Sequence, residues 1–134
     1  MKTIKLKIKT KTQEYPIIIG SHLISNISKI LRDNSIKFKK TLLVIDKNIS
    51  KGIILKIKKS LKNKNILIYF FNASEKNKNQ NSVNKILDIL LVRNFSREDC
   101  LVSIGGGITG DITGFAASQF KRGLKFINIP TTLL

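Results

Sequence analysis

The apolar residues of this 134-residue chain recur with two different periods. Near the start, Ile4, Leu6 and Ile8 alternate with lysines, a period of two that predicts a strand with one solvent-facing side. A second strand is expected over residues 15–20, so the two together indicate an antiparallel β-hairpin at the edge of a sheet. The following apolar residues have helical spacing, and Ser21 is placed to cap that helix.

From residue 40 onward, short apolar runs alternate with stretches of helical spacing. Strands are predicted over 40–45, 66–71, 101–104 and 124–129. Helices are predicted between them, over about 48–61, after a cap at Asn81 or Ser82, and after Gly110, with Gly123 as a C-terminal cap. This order predicts an α/β fold with a Rossmann-like, mainly parallel sheet, helices on both faces and the amino-terminal antiparallel hairpin. Residues 1–134 are expected to form one α/β domain.

The most informative stretch joins the strand at 101–104 to the next helix. Three consecutive glycines, Gly105 to Gly107, allow a sharp turn and the close approach of a ligand. A strand, a glycine turn and a helix start form the arrangement that binds phosphate through free N–H groups. Gly105-x-Gly107-x-x-Gly110 also matches the dinucleotide fingerprint, although it follows a late strand and no acidic residue lies about 20 positions downstream. Asp46, two strands earlier, is the available substitute.

Four features of the sequence should meet at the carboxyl ends of the predicted strands, where such sheets bind ligands. They are Asp46, the charged loop 74–78, the glycine turn and the pair Thr131-Thr132. Each also has a purely structural interpretation, as a turn residue, as solvated charges or as a helix cap. Their coincidence at one edge favours a nucleotide-binding site.

The formal net charge of +17 raises the question of a nucleic-acid partner. In residues 95–134 the positive and negative charges nearly cancel. Almost all of the excess positive charge therefore lies in residues 1–94, where it is dispersed along the chain. Lysine is far more abundant than arginine and tryptophan is absent, whereas specific nucleic-acid sites use arginine and stacking aromatics. We therefore expect no nucleic-acid partner. No apolar run approaches the roughly 20 residues that span a bilayer, so no membrane partner is expected. The start has no continuous apolar segment, so no signal peptide is expected, and a single cysteine, Cys100, fits a cytoplasmic location.

Three segments resemble the 3-dehydroquinate synthase family: Gly105–Ala117, Lys121-Arg122-Gly123 and Ile129–Leu134. The resemblance covers the whole chain but only the amino-terminal, NAD-binding part of the enzyme. It implies a phosphate-eliminating carbon–oxygen lyase that converts 3-deoxy-arabino-heptulosonate 7-phosphate to 3-dehydroquinate in the shikimate pathway, toward the aromatic amino acids. It further implies a homodimer, NAD and a divalent metal, zinc or cobalt, that polarises the oxygens at the reacting carbon.

The same resemblance assigns roles to individual residues. Asp46 would bind the adenosine ribose, and Glu75 and Lys78 match the family's Asp-Gly-Glu-x-x-Lys loop, whose first two positions here are Ala73 and Ser74. The pyrophosphate and neighbouring atoms would be held by Gly106, Gly107, Ile108, Thr109, Gly110 and Asp111. The nicotinamide side would be held by Thr131 and Thr132, and the substrate phosphate of the neighbouring subunit would be reached by Arg122.

The family's metal ligands, one glutamate and two histidines, and its catalytic lysines are expected beyond residue 134. The resemblance thus implies that the fragment is inactive alone. The abrupt end after Thr131-Thr132 and two leucines predicts a truncated product, incomplete at its carboxyl end. Two alternatives stay open. The chain could belong to another sugar-phosphate cyclase or metal-dependent alcohol dehydrogenase, or it could be a non-enzymatic relic of gene decay.

Overall fold

The computed structural model describes residues 2–131, which divide into two compact units. The first comprises the chain up to Lys37 together with Gly52–Leu61, and the second comprises Phe38–Lys51 together with the chain from Lys62 onward. Within residues 2–131, no helix has both the length and the apolar character that a membrane span requires.

The first unit begins with the predicted hairpin. Strands β1 (Ile4–Lys9) and β2 (Glu14–Ile19) pair antiparallel, with Leu6 opposite Ile17. Thr10 closes the turn, because its hydroxyl oxygen accepts a hydrogen bond from the Gln13 amide at 3.1 Å. The hairpin is a two-stranded sheet of its own among the described residues, so its expected place at the edge of the main sheet is wrong. A period of two fixes which side chains share a face, but it does not say which sheet the strand joins.

The helices of the first unit are α1 (Ile27–Asp33) and α2 (Lys51–Ser60). Ser21 does not cap the first of them, contrary to the prediction. His22 adopts a left-handed φ of 59° and its carbonyl oxygen accepts a hydrogen bond from the Asn26 side chain at 2.9 Å. This turn postpones the regular helix to Ile27.

The second unit contains a four-stranded parallel sheet in the order β4-β3-β5-β6. Its strands are β3 (Lys40–Asp46), β4 (Asn65–Phe71), β5 (Cys100–Gly105) and β6 (Lys125–Pro130). The two central strands are almost continuously buried, which explains their unbroken apolar sequence. The predicted α/β fold class, a mainly parallel sheet with an amino-terminal antiparallel hairpin, is confirmed.

Two helices complete the second unit, α3 (Gln80–Val92) and α4 (Gly107–Gln119), which pack on each other. Helix α3 begins earlier than predicted, since the side chain of Asn79 caps it by accepting a hydrogen bond from the Ser82 amide at 3.0 Å. The core between helices and sheet includes Leu42, Val44, Phe71, Val83, Ile86, Leu90, Phe95, Leu101, Ile112 and Ala116.

The strand register sets which residues meet at the carboxyl edge of the sheet. Ile45 on β3 is opposite Ile104 on β5, and Gly105 at the end of β5 is opposite Pro130 on β6. Asp46, the last residue of β3, and the glycine turn that begins at the end of β5 are therefore adjacent in space.

Candidate cofactor site

The glycine turn leaves the amino end of α4 without a capping side chain. Strand β5 ends at Gly105, Gly106 is extended at the N-cap position, and the helix begins at Gly107. The Gly110 amide makes the first intrahelical hydrogen bond, to the Gly106 carbonyl oxygen at 3.1 Å. The amides of the preceding three residues thus have no acceptor within the helix. Such an end of a helix attracts an anion.

Two glycines of this turn have opposite surroundings. A Cβ added to Gly105 would lie 2.8 Å from the Thr109 hydroxyl oxygen and 3.0 Å from the Asp46 Cβ. A Cβ added to Gly107 would meet no atom within 4 Å. Gly105 is therefore required by packing inside the protein, while Gly107 leaves space open beside the helix end.

Two further glycines let α4 lie close to β6. A Cβ on Gly110 would approach the Asn128 side-chain oxygen to 3.0 Å, and one on Gly114 would approach the Phe126 ring to 3.1 Å. Asn128 is held in turn by the buried Ser103, whose hydroxyl donates to the same Asn128 oxygen at 2.5 Å. Neither Ser103 nor Asn128 was singled out from the sequence, and only the strand register brings them together. They fix the helix whose amino end forms the site.

A cleft of about 400 Å³ opens at this helix end. It is lined by Asp46, Ala73, Lys78, Gly106, Gly107, Ile108 and Asp111. Six of these seven residues belong to the set that the sequence assigned to cofactor binding, and they come from three separate segments of the chain. The seventh, Ala73, occupies the first position of the loop that departs from the family pattern.

Asp46 provides the carboxylate at one side of the cleft. It is half-buried at the end of β3, and its side-chain oxygen accepts a hydrogen bond from the Asn48 amide at 3.0 Å. Its carbonyl oxygen accepts from the Ile49 amide at the same distance. These bonds fix the carboxylate while leaving it capacity for further donors, because an ionised carboxyl group has about four acceptor sites.

Of the two charged residues predicted to bind the cofactor in the loop after β4, one lines the cleft and the other does not. Lys78 lies against it, and its ammonium nitrogen is 3.3 Å from a carboxylate oxygen of Asp111. Glu75 is exposed on a short 3-10 turn and is not among the residues that line the cleft. Its role in cofactor binding stays a prediction.

The remaining predicted residues lie around or away from the cleft. Thr109 is fully buried beneath the helix end, and Gly110 faces β6. The Thr131 amide donates to the Gly105 carbonyl oxygen at 2.8 Å, which brings Thr131 beside the glycine turn. Thr132 lies outside the described residues.

Arg122 is placed at the opposite end of α4, about 20 Å from the cleft along the helix axis. It belongs to a segment in which three consecutive residues, Lys121, Arg122 and Gly123, have positive φ angles of 42°, 67° and 111°. The Lys121 ammonium anchors this segment by donating to the Phe95 carbonyl oxygen at 3.0 Å. The structure thus separates Arg122 from the other predicted site residues of the same chain.

Cys100 lies at the amino end of β5, away from the cleft, and is buried. Burial raises the pKa of its thiol from 9.0 to about 12, although Lys125 and Lys64 oppose the shift. This environment suits a small packing residue and not a nucleophile.

Two kinds of cofactor can be tested against the residues present. Within residues 2–131, no three His, Cys, Asp or Glu side chains are grouped so that they could hold a metal ion. A dinucleotide fits better, because the cleft combines uncapped helix amides, an ammonium group, the carboxylates of Asp46 and Asp111, and the open space beside Gly107. Phosphate groups match the amides and the ammonium, and ribose hydroxyls match a carboxylate.

Comparison with known proteins decides the family. A family model described as 3-dehydroquinate synthase N-terminal matches residues 68–134. The chain belongs to the 3-dehydroquinate synthase family. A 3-dehydroquinate synthase of Pelagibacter ubique (strain HTCC1062) is 60% identical over 134 residues, which are 100% of this chain and 36% of that protein. The chain therefore spans a little over a third of the length of this relative.

Two solved enzyme structures share the fold. A 2-deoxy-scyllo-inosose synthase, complexed with carbaglucose-6-phosphate, NAD+ and Co2+, matches with a TM-score of 0.85 and 23% sequence identity. The match covers 96% of this chain and 35% of the synthase chain. The 2-epi-5-epi-valiolone synthase of Streptomyces hygroscopicus subsp. jinggangensis 5008, with NAD+ and Zn2+ bound, matches with a TM-score of 0.77 and 25% sequence identity. The match covers 94% of this chain and 35% of that synthase chain.

Proposed function

We propose that this chain is the NAD-binding part of a 3-dehydroquinate synthase. The enzyme converts 3-deoxy-arabino-heptulosonate 7-phosphate to 3-dehydroquinate and phosphate in the shikimate pathway. The observation that carries the proposal is the uncapped amino end of α4, which opens onto a cleft lined by Asp46 and Lys78. Bound NAD supplies a hydride acceptor that later returns the hydride, so the reaction needs no external oxidant.

Several residues in and around the cleft have a proposed role in binding the dinucleotide. The Asp46 carboxylate accepts hydrogen bonds from the hydroxyls of the adenosine ribose. The amides at the start of α4, from Gly107 onward, donate to the pyrophosphate, and Lys78 adds a positive charge beside it. Thr131 and Thr132 are proposed on the nicotinamide side, and Glu75 is proposed as a further contact to the dinucleotide.

The remaining roles concern the full-length enzyme. We propose that it is a homodimer in which Arg122 reaches the sugar phosphate bound to the neighbouring subunit. The position of Arg122 about 20 Å from the cleft along α4 supports a role outside its own chain's cofactor site. Zinc or cobalt is proposed to bind through the glutamate and two histidines of the family. By the same resemblance, the 134-residue chain alone is proposed to bind NAD without synthase activity.

Calorimetric titration of the purified chain with NAD+ tests this proposal. The wild type should bind saturably, and Asp46→Ala should weaken binding because the ribose loses its acceptor. Gly107→Val should weaken it more, since the new side chain enters open space in the cleft without clashing with the protein.

Matched controls separate binding from folding. Gly52→Val places the same side chain at another glycine in the first turn of a helix, where a Cβ also meets nothing within 4 Å, so it should leave NAD+ affinity unchanged. Asp88→Ala removes an exposed carboxylate of α3 that does not line the cleft. A wild-type chain that is folded by circular dichroism but shows no saturable NAD+ binding would falsify the proposed function.

A further inference from the structure

Strand β4 is an edge strand that lacks the usual protection of an edge. It pairs with β3 on one side, and no strand pairs with its other side among residues 2–131. Proteins commonly protect such an edge with a charged residue or a proline, because unpaired main-chain groups are ready to bind another strand. The sequence of β4, Asn-Ile-Leu-Ile-Tyr-Phe-Phe, contains neither, whereas β6 at the opposite end of the sheet contains Lys125 and Pro130. The outer side of β4 is therefore open to strand pairing.

The hydrogen bonds of β4 show which of its main-chain groups point outward. The Asn65 amide donates to the Lys39 carbonyl oxygen at 2.7 Å, and the Phe71 carbonyl oxygen accepts from the Lys47 amide at 3.0 Å. Both groups therefore point to the side of β3. Since the main-chain groups of successive residues in a strand point to alternate sides, three residues between these two point theirs outward. They are Ile66, Ile68 and Phe70.

Large apolar side chains are exposed beside this edge. Phe70 is 54% exposed, and Leu91 and Val92 of α3 are exposed to 59% and 76%. A groove of about 370 Å³ lies between β4 and α3, and its lining includes Leu67, Ile68, Ile89 and Val92. Exposed apolar residues that are grouped in this way mark an interaction site, while single ones do not. We call the outer edge of β4 and this groove the β4 surface.

The charge of the β4 surface restricts what can bind there. The whole chain carries a formal charge of +17, so most of its surface repels a second copy and attracts anions. Strand β4 carries no charge, and the groove is lined by one acidic and one basic residue, Asp88 and Arg93. These two charges cancel. An anionic partner therefore gains no attraction at the β4 surface, whereas a second copy meets no net repulsion.

The outward-pointing groups also match a second copy in their spacing, because they are symmetric about Ile68. If two β4 strands pair antiparallel with Ile68 at the centre, Ile66 of each copy is opposite Phe70 of the other. Residues opposite each other in this register exchange both of their main-chain hydrogen bonds. Two identical chains that associate about a two-fold axis require such a self-complementary surface.

We propose that two copies of this chain associate through antiparallel pairing of β4 with β4, which joins their four-stranded sheets into one. This inference rests on the homodimer of the proposed function, for which it names the contact surface. Antiparallel pairing turns one sheet end to end relative to the other. Arg122, which precedes β6 at the amino edge of its own sheet, then lies at the same end of the joint sheet as the cofactor cleft of the second copy. A role of Arg122 in the neighbouring subunit requires this orientation.

Sedimentation velocity of the 134-residue chain over a concentration series tests the pairing. The wild type should form a dimer, and Phe70→Lys should weaken it by about 100-fold or more, because each dimer then places two ammonium groups in an apolar contact. The single chain should tolerate this change, since the side chain is exposed there. Phe115→Lys is the matched control. It makes the same substitution at a phenylalanine of α4 that is 48% exposed, and it should leave the dimer unchanged.

A comparison of Phe70→Pro with Phe70→Ala tests whether the main chain makes the contact. Both variants remove the ring, but only proline removes the outward-pointing amide, and an edge strand tolerates proline at such a position. Phe70→Pro should therefore dimerise about tenfold more weakly than Phe70→Ala, because hydrogen bonds are lost at both ends of the paired strands. Equal losses in the two variants would show a contact through side chains alone and would overturn strand pairing.

The dependence of the dimer on salt is a second test of the occupant. Added salt should strengthen the dimer, because it screens the repulsion between two chains that each carry +17. A dimer that salt dissociates would depend on ionic contacts between the copies, which contradicts a contact through the uncharged β4 strand.

The remaining outcomes separate this inference from the cofactor proposal. A folded wild type that sediments as a monomer at every concentration overturns the inference, and saturable NAD+ binding by that monomer leaves the cofactor site standing. A dimer that Leu6→Lys dissociates and Phe70→Lys does not would have its contact on the exposed apolar face of the amino-terminal hairpin, which also overturns the inference. A dimer that responds to the Phe70 variants as expected but does not bind NAD+ supports the β4 contact and overturns the cofactor proposal alone.

Discussion

Replacement of Gly105 by alanine is the sharpest test of how this site is built. A Cβ at this position would lie 2.8 Å from the Thr109 hydroxyl oxygen, 2.9 Å from the Thr109 Cβ and 3.0 Å from the Asp46 Cβ. The two distances to Thr109 are shorter than real Cβ atoms show, so Thr109 must move, and the distance to Asp46 is tighter than most real contacts. Thr109 is fully buried in the first turn of α4, and Asp46 is tied to the turn after β3. Thr109 therefore has no free space into which it can retreat.

The cost follows from the packing of the neighbours. Inserting a methyl group into a filled interior costs about 1–3 kcal/mol, because side chains and backbone are forced from their preferred positions. For a chain of this length that loss lowers the melting temperature by about 4–11 °C. Because Asp46 lines the cleft and Thr109 lies buried beneath the helix end, the displacement should also weaken NAD+ binding.

Urea unfolding followed by circular dichroism at equilibrium measures this effect, and Gly107→Ala is the matched control. A Cβ at Gly107 meets nothing within 4 Å, so this variant should unfold within about 0.5 kcal/mol of the wild type. If Gly105→Ala unfolds at the wild-type urea concentration, or if both variants lose the same stability, the close approach of β5, α4 and β3 does not constrain the site.

Capping, titration and core packing give three further expected outcomes. In urea titrations, Asn79→Ala should lower the free energy of unfolding by about 1 kcal/mol, because the Ser82 amide loses its acceptor. The control Asn81→Ala, at an exposed position within the helix, should change it by less than about 0.5 kcal/mol. Burial raises the pKa of Cys100 from 9.0 to about 12, so the stability owed to the neutral thiol is complete below pH 9 and is lost as the pH rises toward 12. Unfolding titrations should therefore show the wild type losing more stability over that range than Cys100→Ala. Ile86→Ala, at a fully buried position of α3, should cost about 2–5 kcal/mol in thermal melts, and a loss below 1 kcal/mol would contradict its place in the core.

The element types of the second unit were predictable because its periodicities are unambiguous. Continuous apolar runs fit central strands such as β3 and β5, and helical spacing between them fits the helices of a parallel α/β fold. The cap of α3 was misplaced by two or three residues, since Asn79, Asn81 and Ser82 are all competent capping residues in sequence. Only backbone geometry selects Asn79.

Contacts between distant segments mark the limit of sequence reasoning in the site. The hydrogen bond between Ser103 and Asn128 spans 25 positions and depends on the register of β5 and β6. The ion pair between Lys78 and Asp111 joins the loop after β4 to the helix after β5, two strands that are not neighbours in the sheet. No local pattern encodes either pair, although each residue taken alone has a common structural interpretation.

The sheet order explains how an acidic residue comes to lie beside the glycine turn although none follows it in the sequence at the usual distance. An ordinary Rossmann unit places this acid about 20 residues after the glycine turn. Here Asp46 comes long before the turn, yet β3 is the direct neighbour of β5, and the Asp46 Cβ lies 3.0 Å from the position of an added Gly105 Cβ. The acid and the glycine turn are adjacent in space because their strands are adjacent in the sheet.

The glycines of the fingerprint serve different needs, so the spacing alone has little diagnostic value. Gly105 accommodates Thr109 and Asp46, and Gly110 accommodates Asn128, so both are needed for the protein to pack. Only Gly107 has open space where its side chain would be, and that space is part of the cleft. A substitution at Gly107 should therefore affect the ligand first and stability little, while one at Gly105 should affect both. That difference between two glycines two residues apart allows ligand binding to be tested separately from stability.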